Sequence, residues 1–142
     1  MRILVSLCLL GAACRYDGGS KPCGAVLRLA QRHELIPVCP EQLGGLPTPR
    51  PPAEIRGEKV ETREGADVTA AYRRGAEETL RLYRQLGCSC ALMKARSPSC
   101  GCGAVYDGTF SGTLRPGNGV TAQLLREEGI AVFTEDEAEK LV

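Results

Sequence analysis

Eight cysteines stand out in this chain of 142 residues: Cys8, Cys14, Cys23, Cys39, Cys88, Cys90, Cys100 and Cys102. At this density thiols cross-link a secreted chain, hold a metal or cluster, or attack a substrate. The count does not choose among these; position does. Cys8 ends the apolar run "RILVSLC", and Cys39 ends a second, "LIPVC". Cys100 sits in a turn-rich stretch just after a third run, "CSCALMKA". If the three runs are parallel strands of one sheet, their C-terminal ends share an edge and the three thiols converge there. Three thiolates and one open position suit an iron–sulfur cluster or a catalytic zinc. Glu41 follows Cys39 by two residues and Ser97 precedes Cys100 by three, so both fall in the same crevice. A carboxylate there can act as a general base or acid, and a hydroxyl can orient a substrate or relay a proton. Both residues can equally cap the local turns in which they stand.

The elements that must place these residues alternate. Residues 2–8 read as a buried strand and "SKPCGAVLRLAQRHE" as a helix, with Pro22 near its first turn. Residues 35–39 read as a second strand. Residues 40–57 carry five prolines and three glycines, which predicts an ordered or extended loop and no helix. "EKVETREGADVT" suits a small hairpin. Thr69 is placed to cap the longest helix, which stops at Gly87. Residues 88–95 read as the third strand, "VTAQLLREEG" as a helix, "IAVFT" as the fourth strand and "EDEAEKLV" as a final short helix. This order predicts one α/β domain over residues 1–142, a three-layer Rossmann-like fold with a mostly parallel sheet of about four strands.

Bulk properties narrow the function. The net charge of +1 argues against non-specific duplex DNA binding. Aromatics make up 4% and Trp is absent, which argues against a stacking platform for single strands. No apolar run reaches the roughly 18 residues that span a bilayer. The opening "MRILVSLCLLGAAC" also resembles an export signal with Cys14 as a lipid anchor. Its cationic region is a single Arg, only 13 residues precede Cys14, and Gly11 stands where a lipobox usually has Leu. A first strand in a cytoplasmic enzyme is the expectation, and a disulfide-bonded lipoprotein the rival.

The stretches "VSLCLLGAACRYDGGSK", "LIPVCPEQLGGLPTPRPPAEI", "KARSPSCG" and "YDGTFSGTL…GNGVTAQLLREEGI" resemble the small bacterial DUF523 family, which includes thiouracil desulfurases. The resemblance runs from about residue 2 to residue 134. It implies a [4Fe–4S] cluster held by three cysteines, here Cys8, Cys39 and Cys100, with the fourth iron free. It puts the acid/base carboxylate on Glu41 and the assisting serine on Ser97. The implied reaction removes sulfur from a thiolated pyrimidine, a base or a nucleotide, and releases hydrogen sulfide. A monomer or homodimer is expected, with no DNA and no membrane as partner. The alternative is a non-catalytic metal- or cluster-binding module.

The chain departs from the family in its extra cysteines. Cys88 and Cys90 read as strand packing; with Cys100 and Cys102 they can also be drawn as a CxC…CxC zinc site. Cys14 and Cys23 read as packing or incidental thiols. Arg15, Tyr16 and Asp17 suit a polar turn or a contact to substrate. Arg50 is expected to pair with Glu54, and Lys94 and Arg96 to be solvated or to meet a phosphate. Gly117, Gly119 and Thr121 open a helix whose N–H groups can hold an anion. His33, the one histidine, reads as a helix C-terminal partner, not a ligand.

Overall fold

The computed structural model describes residues 1–141. Its centre is a sheet of four parallel strands: β1 (Arg2–Ser6), β2 (Glu34–Val38), β5 (Cys90–Met93) and β8 (Val132–Thr134), in the order β2-β1-β5-β8. Ile3, Leu4 and Val5 of β1 are fully buried, as an apolar run covered on both faces requires. Alternate side chains sort to opposite faces. Ile3 and Val5 pack with Val26 and Leu29 of α1 (Gly24–Leu29), with Leu9 and with the C-terminal 3₁₀ turn Glu135–Leu141. Leu4 packs with Leu80 and Tyr83 of α3 (Thr69–Gln85) and Leu125 of α4 (Val120–Glu127). The result is the expected three-layer arrangement.

Two hairpins stand outside the sheet: β3 (Ala53–Arg56) with β4 (Lys59–Thr62), and β6 (Ala104–Tyr106) with β7 (Leu114–Pro116). Ile55, Val60 and Val105 join Tyr72 of α3 in a separate small core. The first hairpin was only half legible: β4 falls in the stretch 58–69 read as a hairpin, while β3 lies in the stretch 40–57 read as a loop. For the second, the glycines and prolines hid two strands of three residues each.

Several boundaries differ from the sequence reading. β1 ends at Ser6, and Cys8 lies in a 3₁₀ turn, Leu7–Leu10, closed by Gly11 at φ 98°. The helix expected from residue 20 starts only at Gly24. Pro40–Leu43 form a short helix, α2, where an extended loop was expected. Pro40 occupies the first helical position, where its missing N–H breaks no bond, so proline here starts a helix. Thr69 is the first residue of α3 and does not cap it. Its hydroxyl instead accepts the N–H of Val60 and donates to Asp67. The last predicted helix is the 3₁₀ turn ending at Leu141; its Val142 lies outside the described residues. No helix among the described residues is long and apolar enough to cross a membrane.

α2 docks on α3 through two glycines. A Cβ on Gly75 would overlap the carbonyl oxygen of Pro40, and one on Gly44 that of Ala71. Glycine inside a helix ordinarily costs about 1 kcal/mol relative to alanine. Here overpacking, typically about 1–3 kcal/mol, outweighs that gain. Gly75→Ala is therefore expected to lower stability by about 1–2 kcal/mol in denaturant unfolding. A variant at or above wild-type stability would show that the two helices are free to separate.

Candidate functional site

All four parallel strands point their C-terminal ends at one edge. The chain leaves β1 toward β2 on one side and returns past β1 to β5 on the other, so the edge has a switch point between β1 and β5. A cavity of about 520 Å³ opens there. Cys8, Cys39 and Cys100 all line it, as do Glu41 and Ser97. A fourth thiol, Cys14, lines it too. Sequence reasoning set Cys14 aside as packing; its place in "CRYDGG" just past Cys8 was the available signal.

Each thiol arrives on a short, constrained segment. Cys8 sits in the 3₁₀ turn after β1, and its carbonyl accepts the N–H groups of Gly11 and Lys21. Cys39 is the residue before α2, and its Sγ lies 3.9 Å from the Cys14 carbonyl oxygen. Cys100 lies in a tight loop stitched to α4. Gly119, Val120 and Thr121 donate their N–H groups to the carbonyls of Gly101, Pro98 and Ser99. The Ser99 and Thr121 hydroxyls bond at 2.8 Å. The α4 N-terminus therefore holds the Cys100 loop, and its first N–H groups are not free for the anion the sequence suggested.

Ser97 caps that loop: its Oγ accepts the N–H groups of Ser99 (3.1 Å) and Cys100 (3.0 Å). A hydroxyl has two acceptor lone pairs and one proton. Both lone pairs are taken, so what Ser97 can offer the cavity is its proton. The chain reaches Ser97 through Arg96, a non-glycine residue at φ 68°. That conformation costs roughly 1–2 kcal/mol, and a bridge from Arg96 to Val105 of β6 holds it.

Glu41 stands in the first turn of α2. Its Oε2 accepts hydrogen bonds from Arg50 Nε (3.0 Å) and the Tyr72 hydroxyl (3.1 Å), and Arg50 Nη2 lies 2.9 Å from it as an ion pair. Arg50 thus pairs with Glu41, not with Glu54. Glu54 Oε1 accepts the N–H groups of Gly108 and Phe110 and anchors the β6–β7 turn over the cavity. Lys94 is not solvated either: it pairs with Glu135 at 2.9 Å. Arg15, Lys21, Arg63 and Arg96 line the remaining wall.

The thiols feel one another. Burial, then the neighbouring Cys39, pushes the Cys8 thiol up. Burial pushes Cys100 well up, with Glu41, Cys8 and Cys39 adding to it and a hydrogen bond from Ser6 opposing. Cys14 is pushed up to about 12 by burial and by Cys39 and Cys8. Tyr72 is raised by burial and by Glu41.

The other cysteines stay apart. Cys90 packs in the core beside Leu92, and Cys23 lies at its edge. Cys88 neighbours Arg2, whose charge partly offsets the upward push of burial on its thiol. Cys102 Sγ contacts the Val132 carbonyl and Arg126 Nη1. The CxC…CxC zinc arrangement is not formed. Among the described residues, no three His, Cys, Asp or Glu side chains are grouped around a single-ion site. His33 bridges the N-terminal amine and the Leu141 carbonyl, far from the cavity lining.

Fold and cavity together define a three-layer α/β protein with a thiol-lined, cation-rimmed site at the switch point of a parallel sheet. The model of the 2-thiouracil desulfurase family matches residues 3–137, and the chain belongs to that family. It is 43% identical over 145 residues to the uncharacterized protein YbbK of Bacillus subtilis (strain 168), covering 95% of this chain and 96% of that one. Its structure is similar to that of the [4Fe–4S]-dependent thiouracil desulfidase TudS, with a TM-score of 0.90 and 49% identity, over 99% of this chain and 94% of that one.

The raised thiols give the metal-free chain a pH dependence with a definite sign. A pKa above its ordinary value means the fold favours the neutral thiol. That contribution is full below the ordinary value of 9.0 and is lost as pH rises toward about 12 at Cys14. The Tm of the reduced, metal-free protein is expected to fall between those pH values, and Cys14→Ala to flatten the fall. An unchanged slope in Cys14→Ala would show that its thiol is not desolvated.

Proposed function

We propose that this protein removes sulfur from a thiolated pyrimidine such as thiouracil, converting C=S to C=O with water and releasing hydrogen sulfide. It does so at a [4Fe–4S] cluster held by Cys8, Cys39 and Cys100. The observation that carries the reading is that these three thiols, brought from three separate loops, line one cavity with Glu41 and Ser97. The donor set fits the group. Thiolates are the usual ligands of iron–sulfur clusters, each cysteine on its own iron, whereas a mononuclear zinc draws its donors to within about 2.3 Å of one point. Lys94 and Arg15 line the cavity and favour the thiolate of Cys8. When bound, the cluster supplies a Lewis-acidic iron with an open position suited to a soft sulfur.

The protein's own groups do the rest. The overall change, C=S plus H₂O to C=O plus H₂S, balances without electron transfer, so what must move is protons. Glu41 takes a proton from the attacking water, and that proton can then be returned to the departing sulfide. Ser97, with only its proton unengaged, donates to the substrate or the leaving sulfur. The cavity walls orient the ring; its volume of about 520 Å³ lies in the ordinary range for small-molecule sites. Positioned proton transfer of this kind is typically worth about 10²–10⁴-fold.

The test is anaerobic reconstitution, iron and sulfide quantitation, and a sulfide-release assay on thiouracil. Single Cys→Ala changes at 8, 39 and 100 are expected to abolish cluster binding. Glu41→Ala is expected to retain iron and lose about 10²-fold or more in kcat. Full activity in the metal-free protein would sink the proposal. An iron-loaded Glu41→Ala with unchanged turnover would instead favour a cluster module in which Glu41 is structural.

A further inference from the structure

We propose that Arg50 and Tyr72 are positioning residues that hold Glu41 by one oxygen, Oε2, and so select Oε1 as the atom that handles the proton. The inference rests on the reading of Glu41 as the acid/base group and adds which oxygen works and what aims it.

Arg50 is an unusual cation for a cavity wall. It is 9% exposed, and Nε, Nη1 and Nη2 each donate a hydrogen bond within the protein. Nε donates to Glu41 Oε2 at 3.0 Å. Nη2 donates to the Cys14 carbonyl at 3.0 Å and lies 2.9 Å from Glu41 Oε2 as an ion pair. Nη1 donates to the Pro47 carbonyl at 3.2 Å and the Thr48 hydroxyl at 3.1 Å. Its one carboxylate partner is Glu41.

The geometry of that pair is the informative part. Arginine commonly grips a carboxylate fork to fork, with one donor to each oxygen. Here Nε donates to Oε2 with Nη2 only 2.9 Å from the same atom, and the Tyr72 hydroxyl donates to it at 3.1 Å. Among the described residues Oε1 has no protein partner, and no buried side-chain oxygen lacks one. Oε1 is therefore open to the cavity that Glu41 lines. An oxygen that accepts two hydrogen bonds and faces a guanidinium is a poor place for a proton; the open oxygen is the better one.

Arg50 also ties the carboxylate to the thiol site. The Cys14 carbonyl that accepts Nη2 is the one approached by Cys39 Sγ. One guanidinium thus spans the base, the proline-rich loop and the segment carrying Cys14. Tyr72 reaches the same oxygen from α3, across the Gly44–Gly75 contact. Lysine cannot replace Arg50, since an ammonium has three donors for four acceptors.

The experiment is a double-mutant cycle on the cluster-loaded enzyme, using 2-thiouracil and measuring kcat, KM, iron content and Tm. Arg50→Met and Tyr72→Phe are expected to lower kcat about ten- to a hundredfold, the scale of a misaimed catalytic group. KM and iron per chain should stay near wild type. In a Glu41→Gln background either change is expected to have less than about a twofold further effect, because the group it aims is gone. Equal losses in both backgrounds, or losses that follow iron content or Tm, would overturn the positioning role. Should Arg50→Met not fold, Tyr72→Phe and Arg50→Lys run the same cycle. Glu41→Gln at wild-type rate would sink the acid/base reading itself, an outcome distinct from an uncoupled Arg50 or Tyr72.

Discussion

Parallel pairing of β1 on both of its sides is the constraint on which the rest depends. β1 is bonded to β2 along its whole length and to β5 over residues 3–5. Parallel register puts the ends of all three strands level at one edge. Only then do residues 8, 39 and 100, separated by long crossovers, reach a common cavity. Because β1 has helices on both faces, its residues must be apolar throughout, and chemistry can begin only where the strand stops. Ser6 marks that boundary: its hydroxyl accepts the Lys94 N–H and meets the Met93 sulfur at the end of β5.

The second organising feature is a buried ion pair that stability alone does not explain. Glu41 and Arg50 side chains are 14% and 5% exposed, so both charges are largely desolvated. Pairs of this kind are often matched or bettered in stability by apolar residues of the same size. Removing one partner, however, leaves a buried charge without compensation. The chain meets that requirement by hydrogen-bonding every nitrogen of Arg50 and one oxygen of Glu41 within the protein. What the arrangement adds is direction: a carboxylate whose free oxygen can face only the cavity.

How far this was legible in the sequence depends on the kind of signal. Apolar runs bounded by glycine and proline showed the four sheet strands, and the alternation of elements showed that they are parallel. The convergence of Cys8, Cys39 and Cys100 followed from topology, because strand ends of a parallel sheet share an edge whatever the loops do. Side-chain pairing did not follow. Arg50 lies closer in sequence to Glu54 than to Glu41, yet α2 turns Glu41 toward it while Glu54 is drawn to the N–H groups of Gly108 and Phe110. Proline composition suggested an extended chain at residues 40–43, and a first-position proline there starts a helix instead. Cys14 packs in the core as read, and its second role as cavity lining was signalled only by its place just past Cys8.

The glycines explain why such a site is built from close backbone contacts and not from long side chains. A Cβ on Gly101 would come within 2.7 Å of the Ser97 carbonyl oxygen, and one on Gly119 within 2.5 Å of that of Ser99. Gly44 and Gly75 do the same for α2 on α3. Backbone against backbone has few rotamers to lose and little room to shift, so each loop that brings a functional group is tied to an element of the scaffold. The Cys100 loop rests on α4 and the Glu41 helix on α3, both on the same face of the sheet as Leu4. Thiol, hydroxyl and carboxylate are therefore fixed relative to one another through that helical layer. The backbone, not the side chains, keeps the three thiols in one cavity.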